Sequence, residues 1–216
     1  GRSDVSLLRW RVSNARSWLS NGRRLTQLRW NVSLLAGLSA LGATQHDDNR
    51  PDGQYFAGQW QFLGLRWLAS KDGPARWYVR VDGRGQQASR RLLPLEQFGL
   101  GGHQGVRGYR ENALVRDSGW ATSAAVGRVW QRDGAGRAKL DTALFYDYGQ
   151  AGDHSGSRSD RDSLASVGIA VRWLPAKAWA LEVSWAHTLR DTPTADTGLQ
   201  DDSVHIGLRF APGGRQ

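Results

Sequence analysis

The sequence contains no cysteine and no methionine. Without cysteine, the chain can form neither a disulfide framework nor a thiolate metal site. Without methionine it has no native initiator, and residues 1–8 lack the basic-then-apolar order of a secretory signal, so we expect a mature chain or a fragment. No apolar run approaches the roughly 18 residues that a transmembrane helix needs. If the chain crosses a membrane, it must cross with β-strands.

The charge balance and the aromatic content point to different kinds of partner. Lys and Arg number 29 against 20 Asp and Glu, a formal net charge of +9 that on its own would suggest nucleic-acid binding. The 11 tryptophans and 27 glycines discriminate better. Tryptophan is enriched where apolar and wet environments meet, and glycine where strands curve or backbones approach closely. We therefore expect a membrane lipid partner and no nucleic-acid partner.

Residues 25–41 show the dominant pattern, an alternation of period two. The even positions are mostly apolar, including Leu28, Trp30 and Val32, and the odd positions include Arg29 and Asn31. This alternation is typical of a strand with one apolar and one wet face. An arginine at the lipid midplane would cost about 2–4 kcal/mol, so the odd face is predicted to look inward.

The same alternation recurs along the whole chain and predicts about nine strands in one domain, residues 1–216. The predicted strands are 5–12, 25–41, 55–68, 77–86, 120–130, 139–149, 165–173, 179–185 and 204–210. Short connections near 70–74, 131–137 and 174–178 alternate with long polar ones near 45–54, 90–117, 150–161 and 190–201. This asymmetry is typical of an outer-membrane barrel with short periplasmic turns, and it places the chain end on the periplasmic side. The alternative is a soluble β-sandwich, which shows the same alternation.

The longest predicted loop carries a specific motif, EQFGLGGHQGVRGY, at residues 96–109. It resembles the sixth external loop of the BamA/TpsB superfamily of outer-membrane assembly and secretion proteins, and its first residues resemble the two-partner-secretion branch (TpsB type, haemolysin secretion/activation). A second motif, FxDxG, is formed by Phe145, Asp147 and Gly149, and the last strand ends on the aromatic Phe210. The chain departs from the family's pattern because residues 211–216 follow Phe210.

The resemblance implies an all-β fold, an antiparallel transmembrane β-barrel of sixteen strands, of which this chain supplies about nine at the C-terminal end. It further implies that the loop at about 90–117 re-enters the lumen, where the motif residues of the loop tip meet the barrel-wall motif. The residue types agree, since glycines permit tight turns and Asp147 falls on the inward side of its strand. A charge-assisted contact between Arg107 and Asp147 is therefore predicted. The loop-tip residues are Gly101, Gly102, Val106, Arg107, Gly108 and Tyr109.

Other chemical signals are weak. The loop glycines fail the dinucleotide pattern, no Walker lysine follows them, and no GxSxG elbow exists. The polar clusters at 45–48 and 153–155 could offer metal ligands, but short acidic loops are usually only solvated. We expect no catalytic residue, no cofactor and no metal. The wall arginines Arg29, Arg66, Arg80, Arg128, Arg172 and Arg209 could attract acidic segments, or could simply pair with carboxylates.

These observations favour a transporter in the bacterial outer membrane that passes an unfolded exoprotein from the periplasm outward through its lumen. Its expected partners are that exoprotein, outer-membrane lipid and the barrel assembly machinery. Two alternatives stay open: a protein insertase of the same superfamily, and a passive barrel or receptor. An outer-membrane esterase or phospholipase has no motif in its favour.

Overall fold

The computed structural model describes residues 6–20, 23–38, 55–68, 73–154, 161–176, 179–191 and 204–210. These residues form eleven strands. Their bounds are β1 (Ser6–Ser20), β2 (Arg23–Leu38), β3 (Phe56–Trp67), β4 (Trp77–Ala88), β5 (Phe98–Leu100), β6 (Leu114–Arg116), β7 (Ser118–Arg132), β8 (Ala138–Gly152), β9 (Asp162–Ala176), β10 (Trp179–Thr188) and β11 (Val204–Phe210). Within the described ranges, no helix is long and apolar enough to span a bilayer.

Nine of the strands form a single sheet in the order β1-β2-β3-β4-β7-β8-β9-β10-β11. Every neighbouring pair is antiparallel, and each strand pairs with the strand that precedes or follows it in this order. The prediction of about nine antiparallel strands is confirmed. β5 and β6 form a separate two-stranded sheet inside the long connection from β4 to β7, which the alternation pattern does not predict.

The two faces of the sheet differ in polarity. On one face, which we call the outer face, large apolar side chains lie opposite one another across neighbouring strands and remain exposed, as in the pairs Val126–Leu144 and Leu144–Ile169. The other face, which we call the inner face, carries the long loop and the buried carboxylates Asp141 and Asp147. An apolar surface of this extent suits lipid better than water.

Some predicted boundaries and orientations were inaccurate. β1 runs to Ser20, beyond the predicted end at residue 12. The predicted end came too early because the outward-facing Asn14 and Arg16 interrupt the apolar alternation of this strand. β8 runs to Gly152, so the predicted loop at 150–161 is shorter. Arg128 does not line the inner wall, since it shares the face of Val126 and Trp130 on β7.

Arg66 is also on the outer face, paired across the sheet with Val79. Phe210 is the last residue of β11, where its backbone is paired with Trp179. The side chains of Phe210 and Arg209 and residues 211–216 lie outside what the structure describes. So do the predicted loop at 45–54 and residues 192–201 of the predicted loop at 190–201.

Candidate functional site

The connection between β4 and β7 folds back over the inner face of β7, β8 and β9. Its two short strands, β5 and β6, pair to form a narrow arm. The paired residues are Phe98–Arg116, Gly99–Val115 and Leu100–Leu114. The arm packs on the wall through a buried apolar cluster. The members of this cluster are Phe98, Leu100, Val106, Tyr109, Leu114, Ala121, Ala151 and Leu164. Apolar burial of this kind holds the loop against the sheet in addition to any polar contact.

Two glycines of the loop tip allow the chain to reverse. Gly101 and Gly102 have φ of +105° and +84°, a left-handed backbone that side chains rarely tolerate. A Cβ at Gly102 would also collide with the carboxylate of Glu111, which accepts a hydrogen bond from the His103 backbone N–H at 2.7 Å. Gly108 has a φ of +92°, whereas Gly105 is not in this region and is limited by its contact with the Gly101 backbone.

Arg107 extends from this tip and contacts the carboxylate of Asp147 on β8. Its Nε donates to Asp147 Oδ2 at 2.7 Å and its Nη2 donates to Asp147 Oδ1 at 2.7 Å, so the pair is bidentate. The Arg107 backbone N–H donates to the same Oδ2 at 3.1 Å, and Nη2 also reaches the Ser123 hydroxyl at 2.9 Å. The structure thus contains the contact that the two sequence motifs predict.

The surroundings of this ion pair keep water away from it. The Asp147 side chain is 0% exposed and the Arg107 side chain is 14% exposed. The Arg107 guanidinium carbon lies 3.3 Å from the centroid of the Phe145 ring, so the motif phenylalanine supports the cation by a π contact. The Phe145 ring occupies the space over Gly168 that a side chain there would fill. In a buried setting, an isolated carboxylate or guanidinium would be costly, so each group depends on the other.

Tyr109 forms a second anchor beyond the ion pair. Its side chain is buried, and its hydroxyl oxygen lies 2.9 Å from the Ala165 carbonyl oxygen and 2.7 Å from the Arg190 carbonyl oxygen. The single hydroxyl hydrogen can be donated to one of these carbonyls at a time. Burial raises the pKa of the Tyr109 hydroxyl above its ordinary value. The tip is therefore tied to β9 and to the end of β10.

Gly149, the last residue of the wall motif, permits close approach of the loop. A Cβ at this position would lie 2.6 Å from a methyl carbon of Leu100 and 2.8 Å from the Trp120 carbonyl oxygen. Leu100 and Val106 are both fully buried. The wall motif therefore contacts the loop in three different ways. Phe145 makes a ring contact, Asp147 forms an ion pair, and Gly149 lacks the side chain that would exclude Leu100.

The base of the loop is held by Asp117, a residue that the sequence analysis did not single out. This carboxylate is 1% exposed and accepts hydrogen bonds from the backbone N–H groups of Leu92 at 2.9 Å and His154 at 3.0 Å, and from the Gln97 side chain at 3.2 Å. Its position directly before β7, ahead of Ser118 and Gly119, is the available sequence signal, because Asp often bonds local backbone at such points. Its long-range partners could not be inferred from that signal.

The inner wall has two electrostatic regions. On β4 to β9 carboxylates lie beside cations: Asp141 accepts from Tyr78 and Arg172 at 2.9 Å each, and Arg80 contacts Asp82 at 2.8 Å. By contrast, the described residues of β1, β2 and β3 include several arginines and neither Asp nor Glu. Many inner positions there are polar or cationic, and Leu35, Ala57, Leu63 and Leu65 are apolar ones on the same face. The polar and cationic positions are Arg9, Arg11, Ser13, Ser17, Gln27, Arg29, Asn31, Gln59 and Gln61.

Of the two polar clusters considered as metal ligands, only residues 153 and 154 lie in the part of the chain that the structure describes. Among the described residues, no group of three His, Cys, Asp or Glu side chains is close enough to hold a metal ion. Asp153 lies 3.7 Å from Arg116, and the His154 backbone is engaged by Asp117. The cluster at 45–48 lies outside the described residues.

Comparison with known proteins finds one family model that matches most of this chain. The model described as "Haemolysin secretion/activation protein ShlB/FhaC/HecB" matches residues 4–173, a range that includes the loop and β8. Curated proteins give no significant match.

Two solved structures share the fold. CdiB from Acinetobacter baumannii matches with a TM-score of 0.66 and 16% identity over 94% of this chain and 33% of its own chain. CdiB from Escherichia coli matches with a TM-score of 0.69 and 16% identity over 96% of this chain and 37% of its own. The chain therefore spans about a third of the length of these structures.

Proposed function

Because this chain belongs to the haemolysin secretion/activation protein family ShlB/FhaC/HecB, we propose that it is the C-terminal part of a two-partner-secretion transporter in the bacterial outer membrane. An unfolded exoprotein enters from the periplasm and leaves through the barrel lumen. The outer face contacts lipid, and the barrel assembly machinery inserts the strands, of which β11 with Phe210 is the last described here. The work is conduction of a polypeptide, so the chain acts as a transporter and not as an enzyme.

One observation carries this proposal: a loop is fastened across part of the inner face and leaves another part open. The loop tip covers β7 to β9 through Arg107, Val106 and Tyr109. Among the described residues, the loop base packs on the inner side of β2 and β3 near their loop ends, where Leu92 clusters with Leu35 and Ala57. Further toward the short turns, Arg29 and Gln61 are exposed. A loop held in this way can act as a plug or gate beside an open path.

The open part of the wall suits an extended polypeptide. One exposed amide pair lies there, with Asn31 donating to Gln61 at 3.0 Å. Nearer the loop base, Gln59 donates to the buried Gln86 at 2.7 Å. Such groups can exchange hydrogen bonds with a passing backbone. Arg11 and Arg29 add positive charge without a carboxylate on the same three strands, so acidic segments of the exoprotein would be attracted weakly and reversibly.

Cysteine crosslinking tests the path directly, because the chain contains no cysteine of its own. In the intact transporter, Asn31→Cys on the inner face and Val32→Cys on the outer face of the same strand form a matched pair. With an exoprotein arrested in transit that carries a single cysteine, we expect disulfide crosslinks from Asn31→Cys and none from Val32→Cys.

Two outcomes would contradict export along this wall. Equal crosslinking from both positions would mean that the exoprotein does not distinguish the faces. Crosslinks to a substrate strand at the β11 edge, through a cysteine at Ile206, with none at Asn31→Cys would instead indicate an insertase.

A further inference from the structure

An arginine stands on the apolar outer face, at its short-turn end. Arg128 of β7 is paired across the sheet with Trp77, the first residue of β4. Its guanidinium carbon lies 4.2 Å from the Trp130 ring centroid and 5.4 Å from that of Trp77. The Trp130 indole N–H donates to the Thr142 hydroxyl at 2.9 Å, which fixes that ring. The cation is thus held between two indoles that are both about half exposed.

No protein group supplies a counter-charge to Arg128 among the residues that the structure describes. The structure gives Arg128 π contacts and neither a hydrogen bond nor an ion pair, and its Nε is buried without an acceptor. The strand carboxylates lie on the opposite, inner face. They are Asp82, Asp141, Asp147, Asp162 and Glu182.

The position of Arg128 along β7 explains why a cation is tolerated there. The penalty for arginine on a lipid-facing strand falls from about 2–4 kcal/mol at the midplane to about 0–1 kcal/mol near the interface. Arg128 is four residues from the end of β7, and tryptophans at such a level sit among lipid headgroups. Arg66, also on the outer face, is near the short-turn end of β3. The neighbourhood is cationic and aromatic, with apolar side chains such as Val126 directly toward the midplane.

We propose that Arg128, flanked by Trp77 and Trp130, binds the phosphate of a glycerophospholipid in the leaflet at the short-turn rim. Guanidinium groups bind phosphate in a bidentate manner, and the two terminal nitrogens of Arg128 can present that fork to a headgroup. The two indoles fix the guanidinium plane beforehand, which reduces the ordering cost of binding. The acyl chains would then lie along the apolar strip that begins at Val126. This inference rests on the membrane-spanning fold and not on the proposed export activity.

Native mass spectrometry of the intact protein, released from detergent and titrated with single lipids, measures this binding. The parent protein is titrated with phosphatidylglycerol and, separately, with diacylglycerol of the same acyl chains, which lacks the phosphate. We expect retention of phosphatidylglycerol over diacylglycerol. In Arg128→Gln, phosphatidylglycerol binding should weaken by about tenfold, the effect of losing one charge-assisted interaction.

Arg137→Gln is the matched control, because Arg137 is in the adjacent turn, carries the same charge and already pairs with Asp133 at 2.8 Å. It should retain phosphatidylglycerol as the parent does. Equal retention of both lipids by the parent would overturn the proposal without any variant. Equal loss of phosphatidylglycerol in both variants would overturn the proposal, because it would mean that general surface charge retains the lipid. Displacement of the lipid by millimolar inorganic phosphate would show a free-anion site instead.

Discussion

Arg107 and Asp147 are joined by three hydrogen bonds, two from the guanidinium group and one from the Arg107 backbone N–H. The carboxylate has no exposed surface, so it cannot replace a lost partner with water. Removing one member of a buried pair typically costs about 3–5 kcal/mol, whereas an exposed pair is worth about 0–1 kcal/mol. The loop should therefore depend on this single contact far more than on its exposed charges.

The first prediction concerns that dependence. Arg107→Ala and Asp147→Ala should each impair exoprotein secretion and expose the loop near His103 to external protease. The double variant should be no worse than either single one, because the two residues act as a unit. Arg110→Ala is the control, since Arg110 is an exposed arginine of the same loop. Additive losses in the double variant would show that the two motifs act independently.

The second prediction uses the buried hydroxyl of Tyr109. Because burial raises its pKa above the ordinary 10.0, ionisation favours the released loop. The stabilisation is fully present below about pH 10 and is lost as the pH rises through the pKa of the anchored state. Hydrogen exchange of the loop should accelerate above that pH in the parent. In Tyr109→Phe the loop amides should exchange faster at neutral pH, because the variant loses about 1 kcal/mol of anchoring free energy. The variant should also lack the part of the alkaline increase in exchange rate that comes from ionisation of Tyr109. An unchanged alkaline rise in Tyr109→Phe would refute this assignment.

The strands and their faces could be predicted because lipid on one side and a wet wall on the other impose a period of two. Leu28, Trp30 and Val32 of β2 share one face, as their spacing predicts. The Arg107–Asp147 contact followed from two motifs and from the inward phase of Asp147. Arg128 was assigned to the wrong face on the assumption that strand arginines look inward. Its even spacing with Val126 and Trp130 already indicated the outer face, where the interface lowers the cost of charge.

Long-range polar contacts were the part that the sequence could not supply. Asp117 bonds the backbone of Leu92 and His154, which are 25 and 37 residues away along the chain. Backbone N–H groups are present at every residue except proline, so their partners leave no pattern in the side chains. The pairing of β5 with β6 was missed for a related reason, since three-residue strands are too short to show an alternation.

The third prediction follows from Asp117. Asp117→Ala should leave the buried N–H of Leu92 without an acceptor, at about 1–3 kcal/mol, and should also remove the acceptor of the partly buried His154 N–H. We expect faster hydrogen exchange at these two amides and at the base of the loop, with the Arg107 region less affected. Asp153→Ala provides the comparison, because Asp153 is close in space but exposed. Equal exchange in the two variants would mean that Asp117 does not hold the base.

The fourth prediction tests the assignment of the faces with two neighbouring residues of β9. Ile169→Arg puts a cation on the outer face, while Ala170→Arg puts it on the inner face, beside the open space near Arg172. The outer substitution should reduce accumulation of folded, heat-modifiable barrel, at about 2–4 kcal/mol if the site is near the midplane. The inner one should be tolerated better. Ser166 would not serve as the inner site, since it is fully buried under the loop.

The fifth prediction concerns the cationic wall of β1 to β3. In the intact transporter in a planar bilayer, Arg29→Glu should shift the ion selectivity toward cations, because Arg29 is an exposed inner residue without a carboxylate on these strands. The shift should shrink as ionic strength rises, since the Debye length falls from about 10 Å at 0.1 M to about 3 Å at 1 M. Arg16→Glu, on the outer face of β1, is the matched control and should not change selectivity. If both variants shift the reversal potential equally, or neither does, the wall around Arg29 does not line the conducting path, and an export route along it would have to be abandoned.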